Sequence, residues 1–309
     1  MRVLVGDPYY SLDEVAKIIG DLAEVEEAAP PWEGEDVAGL LVGPDTPVGA
    51  AEMDRLPALR IVATCSVGYD HVDTAAAADR GVWVCNVPDY CVEEMADSSL
   101  ALMLALMRGV VALDRSVREG NWDHAVAGPL RTNRGTRLGV IGFGRIGRAL
   151  AARAIALGFE VCAVDPHLPD EAIAGYGVHP LSMDEALSSC EVFSLHSLLT
   201  GETRGMIGVE ELARMPRGAL IVDTARAALV DFDAVLAALD SGHLGGAAFD
   251  VLPVEPPTAE APAPERPTLI VNPHAAWYSR ATEHEAYRRP AVAVREALEG
   301  RRPTDALAP

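Results

Sequence analysis

The residues best placed to do chemistry begin with a glycine run, Gly142-Phe143-Gly144-Arg145-Ile146-Gly147, directly behind an apolar stretch at 137–141. That stretch is long enough for a buried strand and too short for a helix. Beyond the run, Ile146, Leu150, Ala154 and Leu157 recur at helical spacing, and Gly158 stands where a helix-closing glycine belongs. A second apolar run at 161–164 ends at Asp165. Each part has work to do at a dinucleotide: Gly142 makes the tight turn, Gly144 lets backbone approach a pyrophosphate, and Gly147 lets helix pack close on strand. The helix N-terminus offers free N–H groups and the positive end of its dipole to phosphates. Asp165 would accept hydrogen bonds from a ribose 2′-OH and repel a 2′-phosphate, which points to NAD as the cofactor. Three glycines at this spacing occur by chance; the strand before them, the helix after and the acid downstream give the pattern its specificity.

Three polar residues follow expected strand ends in the same half of the chain. Arg226 comes just after the run 219–222, Glu255 lies five residues past Asp250 at the end of the run 246–249, and His274 follows 269–271. In an open parallel sheet the carboxyl ends of the strands face the ligand crevice, so the three can converge beside a nicotinamide. Each also has a plainer reading. An arginine after a strand often makes a surface ion pair, a glutamate in a proline-rich loop is usually solvated, and a lone histidine is commonly structural.

These residues need elements to hold them. Short apolar runs at 2–5, 23–25, 40–42, 60–63 and 82–85 alternate with helical or turn patterns, among them Ser11-Leu-Asp-Glu14, a capping box. Such alternation implies a parallel sheet covered by helices. Residues 93–107 read as a strongly apolar helix joining two lobes, and 120–136 as a loop or partner-contacting arm. The second lobe continues through strands at 191–195, 219–222, 246–249 and 269–271, with Ser182 and Asp231 capping helices. Six prolines between 253 and 267 mark a surface loop. A final helix over 279–298 can return to the first lobe.

The 309 residues, half of them apolar, are ample for two domains. A formal charge of −21 argues against nucleic acid and anionic membranes as partners. No apolar stretch is long enough to span a bilayer; 100–113 is broken by Arg108. Five cysteines form no CxxC and read as buried apolar groups in a reducing compartment, and the chain opens directly as a strand without a signal peptide, so a cytoplasmic location is expected.

Across nearly its whole length the sequence resembles the D-isomer-specific 2-hydroxyacid dehydrogenases. The matching blocks are CSVGYDHVD (65–73), CNVPDYCVEEMADSSL (85–100), the GFGRIG loop, LTGETRGMI (199–207), GALIVDTARAALVD (218–231), GAAFDVLPVEP (246–256) and NPHAAWYS (272–279). HAAW and the CNVP block look most like the C-terminal binding protein branch, a group of NAD-linked corepressors that keep dehydrogenase sites. The resemblance implies an α/β fold of two doubly wound parallel-sheet domains, one flavodoxin-like and one an NAD-binding Rossmann domain, with the active site in the cleft between them. Residues 1–93 plus 279–309 would form the substrate domain and 94–278 the NAD-binding domain. It implies that Arg226 binds the substrate's carboxylate and carbonyl, that His274 donates the proton and that Glu255 is paired with it. Asp250 would hold the nicotinamide carboxamide. Gly142, Gly144, Arg145, Ile146, Gly147, Asp165, His196, Ser197, Thr203, Thr224 and Ala225, with Arg226, Asp250 and His274, would line the cofactor; no metal is implied. Val67 and Gly68 would take the substrate carboxylate through backbone N–H groups, Tyr69 beside them would also bind substrate, and Trp277 would wall the pocket. A homodimer is the implied assembly.

The sequence departs from the family pattern in two places. Asp223-Thr-Ala-Arg226-Ala-Ala stands where Asn-Thr-Ala-Arg-Gly-Gly is usual, and Ser66 where the first glycine of the carboxylate loop is common. Both bear on substrate fit more than on reaction type. The expected activity is reduction of a small 2-oxo acid by NADH. The competing readings are an NADH-sensing corepressor-like protein with slow or vestigial turnover and, less favoured, a formate- or phosphite-type dehydrogenase.

Overall fold

The computed structural model describes residues 1–8 and 10–308. The chain divides into two compact units: residues 1–90 with 279–309, and residues 91–278.

The first unit is built on strands β1 (Arg2–Val5), β2 (Glu24–Glu27), β3 (Val37–Val42), β4 (Ile61–Thr64) and β5 (Trp83–Cys85), which pair in the order β5-β4-β3-β1-β2, all parallel. β3 and β4 are buried along their whole length, as their unbroken apolar sequences require when helices cover both faces. Ser11 and Asp73 cap the helices Leu12–Ile19 and Thr74–Asp79. The helix Arg280–Leu298 returns to this unit, with Arg295 donating to the Ile18 carbonyl and Arg289 pairing with Asp89 and Asp305.

The second unit carries β6 (Arg137–Ile141), β7 (Glu160–Val164), β8 (His179–Pro180), β9 (Val192–Leu195), β10 (Ala219–Asp223), β11 (Leu244–Phe249) and β12 (Leu269–Val271). Their order is β12-β11-β10-β9-β6-β7-β8, parallel throughout. The chain winds from β6 outward to β8, then crosses back to β9 and winds the other way. This reversal opens a crevice at the carboxyl ends of β6 and β9, where doubly wound sheets bind their ligands. Apolar side chains fill both faces of the sheet, with Phe193 and Phe249 wholly buried on one and Phe143, Leu138 and Leu150 on the other.

Several elements differ from the sequence reading. A helix, Val110–Arg118, occupies what reads as the tail of one apolar stretch; Gly109, at φ +61°, ends the helix Val92–Met107 and starts the new direction. The 120–136 segment is loop apart from a short 3-10 turn at His124–Ala127. A further strand, β13 (Ala306–Ala308), pairs antiparallel with β5 and closes that edge of the first sheet. All five cysteines are buried, and none is in a disulfide. No single helix among the described residues is long and apolar enough to cross a membrane.

Candidate active site

The turn after β6 is fixed by contacts that only glycine permits. Gly142 has φ +94°, and a Cβ there would stand 2.7 Å from the His196 carbonyl carbon and the Ser197 nitrogen. A Cβ on Gly147 would stand 2.3 Å from the Gly142 oxygen, so the helix Arg145–Ala156 rests on the turn itself. Gly144 differs: a Cβ would meet nothing within 4 Å, and no side chain caps the helix that begins there. The first-turn N–H groups, with exposed Arg145 and half-buried Ile146 among them, therefore face open space at the positive end of the dipole. Asp165 closes the arrangement, one carboxylate oxygen accepting from Phe143 N–H (2.9 Å) and the other from His167 N–H (3.0 Å). The cradle fits the pyrophosphate and ribose of a dinucleotide.

The residues lining β9 and β10 are held in differing ways. His196 N–H donates to the Ile141 carbonyl at 2.7 Å, its Nε2 lies 2.8 Å from Ser194 Oγ, and burial pushes its pKa down to about 4, so the ring is neutral. Ser197 Oγ donates to the Ile141 carbonyl, and Thr203 Oγ1 to the Leu198 carbonyl, closing a local turn. Thr224 is 2 % exposed and its hydroxyl meets Ser99 at 2.8 Å, so this side chain faces the helix Val92–Met107 and only its backbone remains for a ligand. Ala225 N–H donates to Asp223 Oδ1 at 2.8 Å; burial pushes that carboxyl up to about 7.

The three strand-end candidates come from adjacent strands β10, β11 and β12. His274 Nδ1 lies 2.7 Å from Glu255 Oε2, and Glu255 Oε1 accepts from Leu252 N–H at 2.5 Å. His274 adopts φ +51°, a left-handed conformation that costs a non-glycine residue on the order of 1–3 kcal/mol. Bonds on every side hold it there. Its N–H donates to the Asp250 carbonyl at 2.8 Å, and its carbonyl accepts from Trp277 Nε1 at 3.0 Å. Asp250, 1 % exposed, accepts from Ala275 and Ala276 N–H at 2.9 and 2.8 Å. With Nδ1 tied to Glu255, Nε2 is the ring nitrogen left to meet a ligand.

Burial lowers the affinity of His274 for its proton, but the hydrogen bond and charge of Glu255 outweigh it, and the pKa lies above the usual 6.5. Burial likewise pushes Glu255 up, and His274 more than offsets it, so Glu255 lies below its ordinary value. The Arg226 charge acts on both groups and lowers both; its side chain is half-buried and donates to the Ala225 carbonyl at 3.0 Å. The structure thus brings Arg226, Glu255, His274, Asp250 and Trp277 to neighbouring strand ends of one sheet. Val67, Gly68 and Tyr69 lie in the other unit, in the loop after β4. Asn86, which donates to the Val67 carbonyl at 2.6 Å, is a contributor to that loop with no signal in the sequence beyond its type.

A family model described as the NAD-binding domain of D-isomer-specific 2-hydroxyacid dehydrogenases matches residues 100–276. The chain is 35 % identical over 286 residues to a glycerate dehydrogenase of Methylorubrum extorquens, covering 87 % of this chain and 88 % of that protein. It is 38 % identical over 255 residues to a glyoxylate reductase of Korarchaeum cryptofilum, covering 82 % and 76 %. Its fold superposes on the D-lactate dehydrogenase of Aquifex aeolicus, crystallised with NAD and lactic acid, with a TM-score of 0.87 at 25 % identity, covering 97 % and 96 %.

The packing at Gly147 yields a direct test. Gly147→Ala should destabilise the chain by about 1–3 kcal/mol, the usual cost of overpacking, and weaken NADH binding, because the atom displaced is backbone of the Gly142 turn. Urea unfolding and fluorescence titration measure both, and wild-type values in each would contradict the account.

Proposed function

Because the chain belongs to the D-isomer-specific 2-hydroxyacid dehydrogenase family, we propose that it reduces a small 2-oxo acid to the D-2-hydroxy acid with NADH. The Glu255–His274 pair at 2.7 Å is the observation that carries this reading. Bound NADH supplies the hydride that reaches the substrate's C2. His274, as imidazolium, gives the Nε2 proton to the oxygen of that carbon, and Glu255 holds the ring by Nδ1 and stabilises its charge. Arg226 offers a planar fork to the carboxylate and carbonyl. The N–H groups of Val67, Gly68 and Tyr69 take the carboxylate. Asp250 receives the nicotinamide carboxamide, each of its oxygens having a lone pair beyond the one spent on a backbone N–H. Trp277, tied to the His274 carbonyl and packed edge-on to Tyr278 at 5.7 Å, presents an apolar wall to the substrate's side chain. A catalytic role is favoured over that of a corepressor because the curated relatives described above carry the names of enzymes.

His274→Ala should lower kcat by about 10²–10⁴, the worth of a positioned acid, with little change in NADH affinity. In the wild type, reduction should fall as pH rises through the elevated His274 pKa, since the proton donor is then lost, whereas oxidation, which needs the neutral ring, should rise. Steady-state kinetics from pH 5 to 9 with a panel of 2-oxo acids tests this; a flat profile or an active variant would remove His274 from the reaction, and no turnover of any 2-oxo acid would overturn the function.

The Asp165 carboxylate at the ribose position favours NADH. Its kcat/KM should exceed that of NADPH, and parity between the two would sink this assignment.

We also propose a homodimer. Val110, Val117, Trp122, Val126 and Leu130 expose 54, 48, 92, 49 and 38 % of their surface within one short segment, apolar groups that a second copy of the chain would cover. Sedimentation should show a dimer at micromolar concentration and a monomer for Trp122→Asp with Val126→Asp; a wild-type monomer would refute it.

A further inference from the structure

The loop after β4 has an unusual arrangement of peptide groups. Three consecutive carbonyls are claimed by buried donors. The Ser66 carbonyl accepts from Val87 N–H at 3.0 Å, the Val67 carbonyl from Asn86 Nδ2 at 2.6 Å, and the Gly68 carbonyl from Ser66 Oγ at 2.5 Å. In a trans peptide the N–H points opposite to the C=O. The N–H groups of Val67, Gly68 and Tyr69 are therefore turned away from these donors, and none of the three donates to a protein acceptor among the described residues. Successive N–H groups turned outward in this way are placed to receive an anion.

The anchor of that loop continues inward. Ser66 Oγ lies 3.0 Å from Thr64 Oγ1, which lies 3.1 Å from His71 Nε2. The direction of this chain follows by counting protons. Ser66 has one hydroxyl proton and spends it on the Gly68 carbonyl, so Thr64 must be the donor between the two hydroxyls. The Thr64 proton is then spent as well, so His71 must donate to Thr64 from Nε2. Thr64 is 0 % and Ser66 8 % exposed, which leaves little water to substitute for a missing link.

We propose that His71 is a positioning residue for substrate binding, acting through Thr64 and Ser66 to hold the Gly68 carbonyl inward and so aim the Val67–Gly68–Tyr69 amides at the carboxylate of a 2-oxo acid. This rests on the reading that those amides hold the substrate carboxylate. The relay accepts a His71 that carries hydrogen on Nε2, as neutral tautomer or imidazolium, and excludes the Nδ1–H tautomer. Each link polarises the next, so loss of the inner donor weakens the outer anchor.

The test uses the full chain with NADH bound and oxamate as a carboxylate probe that is not turned over. Titration should shift the ¹H–¹⁵N signals of Val67, Gly68 and Tyr69, and imidazole ¹⁵N spectra should show His71 protonated at Nε2. Ser66→Ala, Thr64→Val and His71→Leu should each raise the oxamate Kd and the KM for the reduced 2-oxo acid by roughly five- to tenfold, the equivalent of one lost neutral hydrogen bond. Their kcat should stay within about twofold, and their NADH affinity and circular dichroism should match the wild type. His71→Gln, which restores an N–H donor, should recover most of the loss. An Nδ1–H tautomer overturns the relay, as does a wild-type oxamate Kd in Thr64→Val and His71→Leu. Turnover by a wild type whose 67–69 amides do not move overturns the placement of the carboxylate. Amide shifts, an Nε2–H tautomer and weakened oxamate binding in the variants, all without turnover, support the relay and count against the dehydrogenase reading alone.

Discussion

The candidate site depends on one buried carboxylate. Asp250 follows β11 and touches the chain at four points. Its N–H donates to the Asp223 carbonyl at 2.9 Å, its carbonyl accepts from His274, and its two carboxylate oxygens accept from Ala275 and Ala276. Burial raises its pKa, the two backbone donors and His274 pull it back, and leaving such a charge unpaired at 1 % exposure would be costly. The ends of β10, β11 and β12 are therefore locked together through a single residue, and the left-handed turn at His274 is over-determined rather than merely tolerated. That rigidity is what sets Nδ1 against Glu255 and keeps Nε2 out of that bond.

A second constraint is the contact between Gly147 and the Gly142 oxygen. The turn and the helix N-terminus form one packed unit, so the cradle is present before any ligand arrives. Binding then costs little backbone ordering, which is the usual benefit of preorganisation.

Much of this was legible in the sequence because it rests on spacing. The Gly142–Gly147 run, Asp165 behind the next strand and the polar residues behind 219–222, 246–249 and 269–271 are fixed by where strands stop. The branch-level likeness carried by HAAW was finer than the relatives support; they establish the family, and two of them are named a glycerate dehydrogenase and a glyoxylate reductase. What could not be read depends on rotamers and on pairings distant in the chain. Thr224 stands in a segment expected to line the cofactor, and its spacing does not show that its hydroxyl turns to Ser99, 125 residues earlier. Ser66 was visible only as a departure from glycine; its partners Thr64 and His71 are neighbours in sequence, but nothing in their types reveals a proton chain with one direction. β8 and β13 are too short to carry a period, and the helix Val110–Arg118 was hidden because Gly109 lies inside an apolar stretch that resumes at once after Arg108.

The first unit is assembled from both sides of the second. Its parallel strands lie within residues 2–85, whereas the helix Arg280–Leu298 and the edge strand β13 come from the other side of the inserted unit. On the ribosome, the second unit has its whole sequence available while the sheet of the first still lacks that helix. The apolar surface that Ala291, Val294 and Leu298 share in burying stays open for as long as translation of the insert takes. At about 5–20 residues per second that is a wait on the order of ten seconds or more, during which the surface lacks the helix that covers it in the finished fold.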